Sequence, residues 1–182
     1  TVIAADTRNS GVERHFAAVK GITGLSANLT DADEMPALID AAADQLGGID
    51  ILVNEFPITF GEPLGSDQAK LDRLLQSRAA LTLSICRAAL PHLKRSPAGR
   101  IINMGFLRSV FSVAASDACH RAEQDLANLT RALAVETGEF GITANYVQPG
   151  GVMTPDSRDV FRKDKALRDH CLKMSASRRI GE

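Results

Sequence analysis

The sequence predicts an α/β protein built on a doubly wound parallel sheet. Three observations lead there. Short aliphatic runs alternate with longer segments of helical periodicity along all 182 residues, the order expected of βαβ units. Ile49 to Val53 is apolar with little alternation, the pattern of a parallel strand covered on both faces. The helical segments are also long enough to serve as right-handed crossovers between such strands.

The elements follow in order. Thr1 to Ala5 reads as a strand ending at Asp6, and Gly11 to Lys20 as a helix with Val12, Phe16 and Val19 on one face. Ile22 to Ala27 is a weaker strand. Thr30 then reads as the cap of a helix carrying Asp31, Asp33 and Glu34 in its first turn, where carboxylates suit the positive end of the macrodipole. Its apolar stripe is Met35, Leu38, Ile39, Ala42 and Leu46, and Gly47-Gly48 stops it. After the strand Ile49 to Val53, a turn-rich segment leads to a long helix over 66–93, which Pro91 bends or terminates. Arg100 to Met104, Asp117 to Thr137 and Ile142 to Val147 give strand, helix and strand. Asp156 to Lys173 is charged and helical.

Bulk properties narrow the function. One domain of ordinary globular composition is expected, with 45% hydrophobic and 24% charged residues. A formal net charge of −1 gives no electrostatic case for nucleic acid or anionic lipid. No apolar run is long enough to cross a membrane, and the N-terminal residues do not read as a signal peptide. Cys86, Cys119 and Cys171 are an odd set at unrelated spacings, which suggests neither disulfides nor a metal cluster. A reducing, cytoplasmic setting is the expectation.

Several landmarks then align in one order. They are Asp6 closing the first strand, Asn28-Leu29-Thr30-Asp31, the strand running into Asn54, Leu129-Thr130-Arg131-Ala132-Leu133, Gln148-Pro149-Gly150-Gly151-Val152-Met153-Thr154-Pro155, and the closing Arg178-Arg179-Ile180-Gly181-Glu182. Together they resemble the short-chain dehydrogenase/reductase family over nearly the whole chain, and imply its Rossmann-like sheet. The resemblance assigns Asp6, Asn28, Leu29, Asn54, Pro149, Gly150, Val152 and Thr154 to the binding of NAD(H) or NADP(H). A carboxylate at Asp6 accepts hydrogen bonds from the adenosine ribose and repels a 2′-phosphate, while Arg8 pulls the other way. Relative to the family, the first strand with its glycine-rich, pyrophosphate-holding turn is absent, which counts against cofactor binding, and so is the last strand. Either the chain is part of a longer protein or the sheet pairs across the gap.

The catalytic positions all differ from the family pattern. Counting back from Leu129 places Cys119 at the family's tyrosine and Glu123 at its lysine. Thirteen residues before Cys119, Phe106 stands at the serine, with Gly105 before it, and Arg78 falls at the asparagine of the long helix. Family members use the tyrosine to move a proton, with the lysine lowering its pKa. An anion one helical turn from a thiol raises the thiol pKa instead, and Phe106 cannot donate to a carbonyl. In the family fold the asparagine and lysine positions lie close, so the resemblance implies an Arg78–Glu123 ion pair, with Phe106 filling the space left by substrate. At ~4 Å and an effective dielectric near ~20, such a pair gains ~4 kcal/mol before desolvation. The segment Asn54-Glu55-Phe56-Pro57 likewise puts bulk and a fixed φ where the family has small residues beside the cofactor.

Blander readings stand beside these. Phe56, Phe60 and Phe106 serve simply as core filler, Cys119 as a small buried apolar residue, and the histidines as surface groups. The function expected first is a catalytically degenerate family member acting as a binding or assembly partner. The resemblance implies a homodimer or homotetramer through helices 66–93 and 117–137. Two alternatives are an NAD(P)-dependent enzyme with a non-standard site, acting on a small alcohol or ketone, and a lyase resembling the halohydrin dehalogenases.

Overall fold

The computed structural model describes the chain except residues 30, 32, 56–67 and 106–116, and describes only the backbone at 68–77, 117–119 and 156. Its strands form two parallel ladders. In the first, β1 (Val2–Thr7) pairs with β2 (Ile22–Ala27), Asp6 lying opposite Ser26. Between them runs α1 (Val12–Phe16), five residues rather than the ten expected. The helix tightens early because Ala17 and Val19 hydrogen-bond three residues back, to Arg14 and Phe16. α1 lies so close to β2 that a Cβ on Gly24 would come within 2.6 Å of the Glu13 backbone nitrogen, so only glycine fits there.

The next helix, α2 (Met35–Leu46), begins later than expected, with Glu34 as its N-cap and no acidic residue in its first turn. Pro36 is the cause. Proline lacks an N–H and disfavours helical geometry in the residue before it, so it sits comfortably only at the start of a helix. Asp31, Asp33 and Glu34 instead form a turn ahead of α2, with Asp33 N–H donating to Asp31 Oδ1 at 2.9 Å. The expected cap, Thr30, lies outside the described residues.

The second ladder has the order β3 (Ile51–Asn54), β4 (Arg100–Met104), β5 (Thr143–Val147). Its crossovers are α3 (Gln68–Leu93) and α4 (Asp117–Thr137). α3 continues two residues past Pro91. Coming one turn from the C-terminus, that proline removes a single hydrogen bond rather than ending the helix. Among the described residues no ladder joins β1 to β3, so the alternative of pairing across the gap is not realised. The core lies between α2, α3, α4 and the second ladder, where Met35, Ile39, Cys86, Leu93, Ile101 and Leu133 pack together. Each large apolar side chain buried there contributes ~1.5–3 kcal/mol. The expected helix over 156–173 is two helices, α5 (Pro155–Lys163) and α6 (Lys165–Met174).

Candidate functional site

The site is built at the C-terminal ends of the second ladder, where the register sets Asn54 opposite Asn103, and Asn103 opposite Tyr146. Alternation along each strand turns side chains of this row toward α3 and α4. Asn54 Nδ2 donates to Asn103 Oδ1 at 2.9 Å, and Asn103 Nδ2 donates to Thr130 Oγ1 of α4 at 2.9 Å. Thr130 passes the chain on to the Leu126 carbonyl at 2.7 Å. These groups are buried, and each makes a hydrogen bond, as burial in a low dielectric demands. Asn54 Nδ2 also donates to Cys86 Sγ at 3.4 Å, yet burial pushes the Cys86 thiol up to about 12, leaving it an inert core group.

Beside this row stands a cluster of three charged or polar side chains. Arg78 Nη1 donates to Glu123 Oε1 at 3.2 Å. The same guanidinium donates through Nη2 to the Met104 carbonyl at the end of β4, and the Tyr146 hydroxyl donates to Glu123 Oε2. The Arg78 side chain is 5% exposed and that of Glu123 15%. Burial pulls the guanidinium below its ordinary value, and the Glu123 carboxylate beside it opposes that shift. Three elements thus converge on Glu123: α3 through Arg78, β5 through Tyr146, and its own helix α4. The close packing extends to Gly105, where a Cβ would strike the Tyr146 hydroxyl and come within 2.7 Å of Glu123 Oε2.

The ion pair expected from the helix counts is therefore present. Tyr146 was not anticipated. It is the only tyrosine of the chain, and it belongs to the cluster because of a strand register that local sequence does not carry. Phe106, expected to fill the site, lies outside the described residues, as do Phe56 and Phe60. Cys119 falls in the first turn of α4, with only its backbone described. Chemically, the carboxylate of Glu123 accepts from a cation and a phenol, so the position of the family's lysine presents an anion in place of a cation.

The residues assigned to a dinucleotide divide into two groups. At the nicotinamide end they are engaged within the protein. The Asn54 amide is turned inward, and Thr154 caps α5 in a reciprocal capping box, its Oγ1 accepting Ser157 N–H at 3.1 Å. Val152 is tied to Gly181 by a parallel bridge, and Pro149 and Gly150 follow β5 in the turn before it. At the adenosine end the arrangement fits the ligand. Asp6 sits near the end of β1 with Oδ1 on Thr7 N–H at 2.6 Å, which leaves its other oxygen for a ribose hydroxyl. Asn28 follows β2, and Leu29 packs against the core. Among the described residues no group of three or more His, Cys, Asp or Glu side chains is placed to hold a metal. No described helix is long and apolar enough to cross a membrane.

A groove of about 480 Å³ opens at the opposite, N-terminal edge of the second ladder, beside Asp44, Asp50, His92, Arg95 and Ser96. Its polar groups bond one another, Arg95 Nη2 to His92 Nδ1 at 2.8 Å and Ser96 Oγ to Asp50 Oδ1. It is remote from the cluster just described.

Comparison with known proteins agrees with this architecture. The family model described as enoyl-(acyl carrier protein) reductase matches residues 1–182. The D-beta-hydroxybutyrate dehydrogenase of Rhizobium meliloti is 31% identical over 130 residues, covering 71% of this chain and 50% of that protein. The 2-(R)-hydroxypropyl-CoM dehydrogenase of Xanthobacter autotrophicus is 28% identical over 185 residues, covering 98% of this chain and 73% of the relative. The chain thus spans only half the length of the first of these. The solved structure of ElxO with NADP bound superposes with a TM-score of 0.79 over 98% of this chain and 75% of that one, at 19% identity, a likeness of fold. On the match of the whole chain to the family model, and on the parallel α/β ladders with the site at their C-terminal ends, this protein belongs to the short-chain dehydrogenase/reductase family.

Proposed function

We propose that this chain binds rather than turns over. In this reading it is a family member whose proton-transfer machinery has become a structural cluster, and it acts as a dinucleotide-binding or assembly partner. One observation carries the reading. Glu123, at the position of the family's lysine, is held between Arg78 and Tyr146. Ordinary carbonyl reduction needs a proton donor with a cation beside it. Here the cation position carries an anion already engaged by two partners, and Cys119 stands where the donor would be. The inward turn of Asn54 and the capping role of Thr154 point the same way. Assembly, in this reading, is a homodimer or homotetramer through α3 and α4.

The names of the relatives favour a second reading, in which the chain is an NAD(P)-dependent dehydrogenase with a non-standard site. Calorimetric titration with NAD⁺ and NADP⁺, paired with turnover assays on small ketones and secondary alcohols, separates the two. The first reading expects binding without turnover. Turnover with either dinucleotide overturns it, and C119A shows whether that turnover uses Cys119.

A further inference from the structure

At the far end of the site from the cluster, Arg8 is the cation a 2′-phosphate would call on, and it is already held. Its Nη2 donates to both oxygens of Glu34, each at 2.9 Å. Glu34 Oε2 also accepts the Asn28 N–H at 3.1 Å. One carboxylate therefore spans the exits of β1 and β2, just past the Asp6–Ser26 register pair. Around it the balance is acidic: Asp31 precedes it in the same turn, Asp33 N–H bonds to Asp31 Oδ1, and Asp6 is the last residue but one of the neighbouring strand.

We propose that Glu34 sets the dinucleotide preference of this site, withholding Arg8 and selecting an unphosphorylated adenosine ribose, so that NAD(H) binds and NADP(H) is rejected. The proposal rests on the dinucleotide-binding part of the reading above. A ribose 2′-hydroxyl is a neutral donor that suits Asp6, whereas a 2′-phosphate brings close to two negative charges. Whether Arg8 left Glu34 or turned Nε or Nη1 to the phosphate, the Glu34 carboxylate would face the incoming dianion. The Arg8 side chain is 67% exposed, so the ion pair itself is weak. Rejection comes from the like charge of Glu34 and its acidic neighbours as much as from occupation of Arg8.

The test is a calorimetric titration of the full chain with NAD⁺ and with NADP⁺ at fixed ionic strength, for wild type, E34Q and R8A/E34Q. Glutamine keeps an acceptor for the Asn28 N–H while removing the charge. The expected result is a preference for NAD⁺ of about tenfold or more in the wild type, narrowed by about five- to tenfold in E34Q. The narrowing should arise from tighter NADP⁺ binding and shrink by about half in the double variant, where the Glu34 charge is gone but no Arg8 is released. In the wild type, raising the salt should also narrow the preference, a readout that needs no substitution. Equal binding of both dinucleotides, or an unchanged ratio in E34Q, overturns the proposal alone. Failure of both ligands to bind every protein overturns it together with the dinucleotide-binding reading.

Discussion

Glu123 serves two donors with its two oxygens, which makes its removal more costly than that of an ordinary surface carboxylate. R78A or E123A alone leaves a buried group without its main partner, and each should destabilise the fold by ~3 kcal/mol in urea titrations. R78M/E123L removes both charges and should return to within ~1 kcal/mol of wild type, giving a large coupling energy in the double-mutant cycle. Simple additivity of the single losses would show that the pair is not a unit. The sequence disclosed this pair because each position could be counted along its own helix from a recognisable landmark. It did not disclose Tyr146. That residue reaches Glu123 only because β5 pairs with β4 in the register that places Tyr146 opposite Asn103, and strand register depends on contacts distant in sequence. Glu34 was legible as an acidic residue near a helix start, but its grip on Arg8 crosses 26 positions and no local pattern announces it.

At the scale of elements, prolines and caps explain most of the boundary differences. α4 runs over Asp117–Thr137 as its periodicity indicates, since nothing inside it breaks a helix. α2 starts at Met35 because Pro36 permits nothing earlier. The break between α5 and α6 comes at Asp164, whose Oδ1 accepts the Leu167 N–H at 2.9 Å. Charge alternation alone gave one helix there, because a solvated helix face and a solvated cap have similar composition. D164A should therefore lower stability by ~1 kcal/mol, seen as a reduced melting temperature and lost helical ellipticity over the last two helices. No change in either would mean that the cap is satisfied by other groups.

For the whole molecule, the parallel α/β architecture was legible, whereas its division into two ladders was not. Local patterning marks strands but not which edges meet. The division has a surface consequence: on β3, Ile51 is 59% and Val53 55% exposed, where parallel strands are usually covered on both faces. I51T/V53T should reduce concentration-dependent light scattering while shifting stability by less than ~1 kcal/mol; unchanged scattering would show that this face does not drive association. The knot of side chains around Glu123 also limits what its positions can accept. A lysine restored at 123 would set a second cation against Arg78 at about the spacing now held by the ion pair, 3.2 Å, in a place almost closed to water. Arg78 would have to be replaced first, and that step strands Glu123 in turn. Either single exchange thus passes through a less stable protein, so the two positions are locked to one another and can only be altered together.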